Sequence, residues 1–212
     1  MKKLFGKLRG DSAAKDHQAP IVVVSGLPRS GTSMMMKMLE AGGVPPVTDE
    51  LRTADDDNPK GYYEFERVKQ MDKGDVAWVK DAPGKVVKVI SALLKHLPKD
   101  QTYQVIFLRR HMSEILASQR KMLIHRGEDP DKMDDAQMAV LFERHVQQVE
   151  QWLASQPNME VLYIHYSDVM ADPLAAANTI SRFLGRDMDI QAMAQTADPS
   201  LYRNRRADKV AA

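Results

Sequence analysis

The sequence predicts an α/β fold of three layers, in which helices cover both faces of a central parallel sheet of about four or five strands. Two observations lead to this fold class. Short apolar segments rich in β-branched residues alternate along the chain with stretches of helical periodicity. The first such segment, IVVVS at 21–25, runs straight into a glycine-rich turn and then into a helix-forming stretch. That order is typical of a buried strand in a parallel sheet.

The first half of the predicted domain contains three strands. The strand at 21–25 is followed by a helix over 33–40, which stops at Gly42-Gly43. A segment rich in Pro, Asp and Gly follows at 44–63, and loops of this length often serve as lids or binding loops. We expect the remaining elements of this half in the order short helix 64–73, strand 86–90, short helix 92–96 and strand 103–108.

The second half is dominated by helices. A helix is predicted over 113–123, followed by a polar connector at 125–134 and by a long amphipathic helix that begins at Asp134-Asp135 and ends near Ser155. Its predicted apolar face consists of Met138, Leu141, Phe142, His145, Val149 and Trp152. A last strand is expected at 159–164. The final helix starts at Asp172-Pro173 and ends at Gly185, with Leu174, Ala177, Ile180 and Leu184 on one side.

Composition excludes several classes of function. The 30 basic and 29 acidic residues leave a net charge of +1, which predicts no general attraction to nucleic acid. The chain has no cysteine, so disulfides, thiolate metal sites and cysteine nucleophiles are excluded. Its six histidines are scattered without a His-x-x-x-His pair, and we expect no metal site. Any recognition of an anion must therefore come from local arginines and lysines.

The chain divides into a predicted flexible basic tail at 1–18 and a single domain at 19–212. The tail lacks the apolar core of a secretory signal, although contact with a membrane surface or a partner is an alternative to disorder. No run of 18 apolar residues occurs, so no transmembrane helix is predicted. We expect a cytoplasmic protein, and the sequence does not indicate its oligomeric state.

The most specific feature is the turn that follows the first strand, GLPRSGTS at 26–33. Compared with the phosphate-binding pattern G-x-x-x-x-G-K-[ST], both glycines and the last hydroxyl residue are in register, but Thr32 stands at the lysine position. The only cation of the loop is Arg29. Backbone N–H groups and a helix N-terminus favour an anion here. We therefore predict a P-loop-type fold whose ligand differs from ATP, the alternative being a tight turn without a ligand.

A second anion site is predicted after the strand at 103–108. Arg110 leaves that strand, and Ser118 lies eight residues later in a helix. Ligands of α/β proteins bind at the carboxyl ends of the strands, so both side chains can approach one anion at the same edge as the glycine turn. In the alternative interpretation, the arginine pair only satisfies helix carboxylates such as Glu114.

These motifs resemble those of the sulfotransferase family, and of its bacterial branch in particular. PRSGTS is similar to the family's loop for a 5′-phosphosulfate, and the spacing of Arg110 and Ser118 is similar to its 3′-phosphate motif. NPKGYYE at 58–64 and YSDVMADP at 166–173 add to a resemblance that extends over about residues 20–184. The chain departs from the family where His111-Met112 replace the usual Asn-Pro.

The resemblance implies 3′-phosphoadenosine-5′-phosphosulfate as the donor. Its 5′ end would be held by Pro28, Arg29, Ser30, Gly31, Thr32 and Ser33, and its 3′-phosphate by Arg110 and Ser118. An arginine of the C-terminal SLYRNRR segment, Arg205 or else Arg203 or Arg206, would close over the 3′-phosphate; a solvated basic tail is the alternative.

The resemblance also implies sulfuryl transfer to a hydroxyl or amine of a small-molecule or glycan acceptor. This reaction needs a base and cations. Arg29 and Lys88 are the candidate cations, with Lys80 as a competitor for the second position. The candidate bases are Glu64, whose pKa aromatic neighbours would raise by desolvation, and Glu50. The alternatives for the whole chain are a P-loop kinase and a non-catalytic nucleotide-binding module.

Overall fold

A computed structural model describes residues 19–49 and 63–198 of the chain. The predicted basic tail at 1–18, the candidate base Glu50 and the candidate phosphate ligand Arg205 lie outside these residues.

Four parallel strands form the central sheet, as the sequence predicts. They are β1 (Ile21–Gly26), β2 (Val86–Lys88), β3 (Tyr103–Arg109) and β4 (Met159–His165), in the spatial order β2-β1-β3-β4. All neighbouring pairs are parallel. The second strand is shorter than predicted, because Ile90 turns the chain directly into the next 3₁₀ helix.

Six α-helices and three 3₁₀ helices connect the strands in the described part of the chain. The α-helices are α1 (Thr32–Ala41), α2 (Met112–His125), α3 (Asp135–Ala154), α4 (Tyr166–Ala171), α5 (Pro173–Leu184) and α6 (Ile190–Thr196). The 3₁₀ helices are Glu66–Lys73, Ala77–Asp81 and Ser91–His96. The predictions did not include α4, α6 or the 3₁₀ helix Ala77–Asp81.

Several helix ends follow from local sequence. Asp134 caps α3 by accepting hydrogen bonds from the backbone N–H groups of Ala136 and Gln137. Asp172 caps α5 in the same manner, and Pro173 occupies its first turn. The same helix ends at Gly185, whose φ of 62° is the left-handed conformation that favours glycine.

The side chains of β1 alternate between two apolar cores, one on each face of the sheet. Val22 and Val24 point into the core formed with α1, α5 and α6. Ile21 and Val23 point into the opposite core, which contains Val149 of α3 and residues of the 3₁₀ helices. The sheet is therefore covered on both faces, and its carboxyl edge is left for a site.

The predicted apolar faces of two helices are partly wrong. Leu141 of α3 is 47% exposed and Leu174 of α5 is 43% exposed. A helix of the length of α3 spans about 30 Å, whereas a strand of the length of β3 spans about 23 Å. The helix is thus longer than the sheet beneath it, and burial is confined to its second half, at Val149 and Leu153.

Among the described helices, none is both long and apolar enough to cross a membrane.

Candidate functional site

The carboxyl edge of the sheet collects the residues that the sequence singles out. The glycine loop 26–31 follows β1, Lys88 ends β2 and Arg110 follows β3. Tyr166 follows β4 as the first residue of α4. Because all four strands are parallel, these positions lie at one edge, where ligands of α/β proteins bind.

The glycine loop has no room for side chains at its two glycines. Gly26 has a φ of 147°, and a β-carbon there would lie 2.6 Å from Ser30 Oγ. Gly31 has a φ of 102°, and a β-carbon there would lie 2.4 Å from a ring carbon of Tyr166. Arg29, which has a β-carbon, is nevertheless left-handed with a φ of 68°. The loop is therefore a tightly enclosed backbone turn.

Two features of this loop fit an anionic ligand. The hydroxyl of Ser30 is fully buried, and among the described residues none hydrogen-bonds to it. A buried hydroxyl without a protein partner is costly unless a ligand or water satisfies it. The loop also leads directly into α1, whose first-turn N–H groups have no carbonyl partner within the helix and attract negative charge.

The second predicted anion site lies directly against the glycine loop. Arg29 donates from Nε to Ser118 Oγ at 2.9 Å, although 89 positions separate them in the chain. Arg110 donates from its guanidinium to the backbone oxygen of Arg29 at 3.1 Å. The family resemblance implied that Arg29 binds the 5′ end and Ser118 the 3′ end of a ligand. The structure brings the two side chains into contact.

Arg110 is held from three sides. Its Nε lies 2.9 Å from Glu114 Oε2, and the Glu114 residue is only 2% exposed. Its guanidinium carbon lies 4.4 Å from the ring centre of Tyr166. From the sequence, pairing with Glu114 was the alternative to ligand binding. In the structure Arg110 pairs with Glu114 and contacts the glycine loop at the same time. Arg109 instead pairs with Glu150 of α3.

A second group of charges surrounds Glu64. Its carboxylate lies 3.9 Å from Lys88 Nζ and 3.1 Å from Lys69 Nζ. Lys88 Nζ also lies 3.4 Å from Ser33 Oγ at the start of α1. The hydroxyl of Thr48 donates a hydrogen bond to the backbone oxygen of Glu64. The arrangement places a carboxylate and an ammonium group beside the N-terminus of α1.

The surroundings of Glu64 differ from the expected apolar pocket. The hydroxyl of Tyr63 donates a hydrogen bond to the carboxylate of Glu40 in α1. Burial, and then that carboxylate, raise the pKa of Tyr63. Glu64 itself lies against the ammonium groups of Lys69 and Lys88. Lys80, the competitor of Lys88, is exposed on the 3₁₀ helix Ala77–Asp81.

The sequence interpretation did not assign Tyr166 to the site. The sequence did contain a signal for it, because Tyr166 is the first residue of YSDVMADP and comes just after a predicted strand. An aromatic residue at the end of a strand, however, also fits a position in the apolar core. Within residues 19–49 and 63–198, no cluster of three or more acidic or histidine side chains is arranged to hold a metal ion.

Solved structures with the same fold include three from different organisms. The mouse sulfotransferase SULT7A1 complexed with PAP superposes with a TM-score of 0.57 at 18% identity, covering 91% of this chain and 69% of that one. The sulfotransferase domain of the Synechococcus PCC 7002 olefin synthase superposes with a TM-score of 0.54 at 20% identity, and the match covers 91% of each chain.

Sulfotransferase STF1 from Mycobacterium tuberculosis H37Rv gives a TM-score of 0.53 at 17% identity, covering 85% of this chain and 72% of that one. At these identities the likeness shows the fold. Comparison of the sequence with curated proteins finds no match. The sulfotransferase domain model matches residues 19–212 of the sequence. Because that match spans most of its length, the chain belongs to the sulfotransferase domain family, whose members are transferases.

Proposed function

We propose that this protein transfers a sulfuryl group from 3′-phosphoadenosine-5′-phosphosulfate to a hydroxyl or amine of a small-molecule or glycan acceptor. One observation carries the proposal: the glycine loop and the Arg110–Ser118 segment meet through Arg29. A ligand at this edge therefore encounters an anion-binding backbone turn and two arginines together. A nucleotide with phosphate groups at both its 5′ and 3′ positions matches that arrangement.

The residues present fit such a donor. The buried hydroxyl of Ser30 and the N-terminus of α1 would bind the 5′ end, with Pro28, Gly31, Thr32 and Ser33 completing the loop. Arg110 and Ser118 would bind the 3′-phosphate. Arg29 belongs to the loop and contacts both Arg110 and Ser118. We assign Arg205, which lies outside the described residues, as an additional ligand of the 3′-phosphate.

When bound, the donor supplies an activated sulfuryl group with adenosine 3′,5′-bisphosphate as the leaving group. We assign the Glu64 carboxylate as the base that takes the proton of the acceptor, with Glu50 as the second candidate. The Lys88 ammonium group, whose side chain is 10% exposed, would stabilise negative charge that develops during transfer. Its contact with Ser33 ties that charge to the nucleotide loop.

The absence of a lysine from the loop disfavours ATP. In the phosphate-binding pattern the lysine reaches the outer phosphates, and here Thr32 stands in its place. The cation of the loop, Arg29, turns to Ser118 of α2 instead. We accordingly propose a nucleotide preference unlike that of a P-loop kinase. We also propose that the transferase is cytoplasmic, the location expected from the sequence.

A thermal-shift comparison of nucleotides tests the proposal. Adenosine 3′,5′-bisphosphate at about 100 times its Kd should stabilise the protein by about 2.7 kcal/mol, which raises the Tm by about 5–11 °C for a chain of this size. ATP with magnesium and GTP should not. Stronger stabilisation by ATP with magnesium would exclude the proposed donor.

A second experiment separates the enzyme from a non-catalytic binding module. The full chain is incubated with donor labelled in its sulfuryl group and with a panel of phenols, alcohols, amines and glycans, and labelled products are separated by mass spectrometry. Transfer to at least one acceptor is expected. Binding of the bisphosphate without transfer to any acceptor would favour the binding-module alternative.

A further inference from the structure

Arg29 adopts a backbone conformation that is unfavourable for a residue with a β-carbon. Its φ is 68°, and in the described residues only Tyr63 shares a positive φ among residues other than glycine. Left-handed residues of this kind persist only where the surrounding structure holds them. The question is therefore which groups hold Arg29 in this conformation.

Both ends of Arg29 are bound to the segment that follows β3. Its backbone oxygen accepts a hydrogen bond from the Arg110 guanidinium at 3.1 Å, and its own Nε donates to Ser118 Oγ at 2.9 Å. The first contact acts on the peptide group that the left-handed turn reorients. The second fixes the direction of the side chain. The conformation of the glycine loop thus depends on a segment about 80 residues away in the chain.

Arg110 is itself oriented before it reaches the loop. Its Nε is paired with Glu114, and its guanidinium stacks on Tyr166. The side chains of Arg110 and Glu114 are only 9% and 2% exposed. A guanidinium is a rigid planar fork, so fixing Nε and the plane also fixes the direction of the terminal nitrogens. One of these nitrogens points at the backbone oxygen of Arg29.

We propose that Arg110 and Glu114 are positioning residues for the 5′ loop, in addition to the part that Arg110 takes in binding the 3′-phosphate. They hold Arg29 in its left-handed conformation and so form the 5′ site before any nucleotide arrives. The proposal rests on the proposed function only for the identity of the ligand. The effect on the loop exists in the protein without nucleotide.

Amide hydrogen exchange of the nucleotide-free full chain tests the proposal. Arg110→Lys keeps the positive charge but not the fork that bonds Glu114 and Arg29 together. Glu114→Gln keeps the shape of the side chain but weakens its hold on Arg110. Both variants should speed exchange of the Ser30 amide, which donates to the backbone oxygen of Leu27 within the loop, by about tenfold, the change expected for loss of a charged hydrogen bond.

Arg109→Lys is the matched control. It is the same substitution one position earlier, at a side chain that pairs with Glu150 and stacks on Tyr163. In this variant the Ser30 amide should exchange at the wild-type rate. If Arg110→Lys fails to fold, which far-ultraviolet circular dichroism shows directly, the comparison of Glu114→Gln with wild type decides the outcome.

Binding of adenosine 5′-monophosphate adds a readout that a role at the 3′-phosphate alone would not move. This ligand has no 3′-phosphate, yet both variants should bind it about five- to tenfold more weakly than wild type and Arg109→Lys do. Wild-type exchange in the folded variants, with loss of bisphosphate binding only, would overturn the proposal. If the wild type binds neither nucleotide, the proposed function fails while the exchange data still decide this inference.

Discussion

The ammonium group of Lys88 lies 3.4 Å from the hydroxyl of Ser33, across 55 positions of the chain. Lys88 ends β2 and Ser33 is the second residue of α1, so the strand beside β1 brings a lysine to the start of the helix that follows the glycine loop. In the P-loop pattern, a lysine within the loop stands immediately before this hydroxyl residue. Here Thr32 stands at that position, and a cation reaches the same helix terminus from a neighbouring strand.

Replacing Lys88 by methionine should slow transfer more than it weakens binding. The change removes a charge proposed to act on the transition state, and loss of one such group lowers kcat by about 10²–10³. The Kd for adenosine 3′,5′-bisphosphate, measured by calorimetry, should change by less. Lys85→Met, at the exposed residue just before the same strand, is the control and should behave as wild type. Equal kcat for the two variants would contradict the role.

Glu64→Gln should lower kcat by about 10²–10⁴, the usual contribution of a general base. Its Kd for the bisphosphate should stay within a few-fold of wild type, since the residue is proposed to act on the acceptor. Glu66→Gln is the matched control, because Glu66 also pairs with Lys69 but its side chain is 45% exposed, against 17% for Glu64. A fully active Glu64→Gln enzyme would transfer the assignment of the base to Glu50.

The positions of the strands along the chain could be predicted because the buried strands are short, apolar and rich in β-branched residues. Ile21–Val24 carry this signal without interruption, and the stretch that begins at Tyr103 carries it with one polar residue, Gln104. The helices α4 and α6 escaped prediction because six or seven residues are too few to show a helical period. Leu141 was misplaced since periodicity reports an apolar face but not how far the sheet beneath extends.

The candidate site was predictable in part. Local motifs identified the glycine loop and the Arg110–Ser118 spacing, because both are short-range patterns. The direction of the Arg29 side chain toward Ser118 was not predictable. It depends on a left-handed residue and on packing between segments that are distant in the chain, and neither leaves a local signal. The contact of Tyr166 with Arg110 has the same origin.

Ser118→Ala should weaken binding of adenosine 3′,5′-bisphosphate by about two- to tenfold, since a single hydrogen bond contributes about 0.5–1.5 kcal/mol. The hydroxyl is buried and accepts the hydrogen bond of Arg29, so its removal also loosens that side chain. Calorimetric titration measures the change. Ser113→Ala, at an exposed position of the same helix, should bind as wild type does. Identical affinities for the two variants would remove Ser118 from the site.

Gly31→Ala should destabilise the protein by about 2–4 kcal/mol, combining left-handed strain with overpacking. The new β-carbon would lie 2.4 Å from the Tyr166 ring. Gly43→Ala is the matched control, because its φ of 95° is also positive but no atom lies within 4 Å of the added carbon. Only strain, about 1–2 kcal/mol, is expected there. Urea unfolding compares the two, and equal losses would show that the Tyr166 contact does not restrict the loop.

Outside the site, His145 of α3 forms a hydrogen bond with the 3₁₀ helix that follows β2. His145 Nε2 lies 2.8 Å from the hydroxyl of Ser91, which is 3% exposed. Burial, and to a smaller extent the charge of Lys95, lowers the pKa of His145 below its usual value of 6.5. The folded protein therefore resists protonation of this imidazole, whereas the unfolded chain does not.

Stability should consequently fall as the pH decreases below about 6.5, the usual histidine value, because the unfolded state then binds more protons than the folded state. Above that pH the imidazole is neutral in both states and contributes no slope. His145→Gln removes the titrating group, so the free energy of unfolding in urea between pH 7.5 and pH 5 should depend less on pH than in wild type. His165→Gln, which replaces an exposed imidazole at the end of β4, should retain the wild-type dependence. If His145→Gln loses no more of the slope than His165→Gln does, the buried imidazole is not the source of acid sensitivity, and that sensitivity must come from carboxylates paired in the folded state.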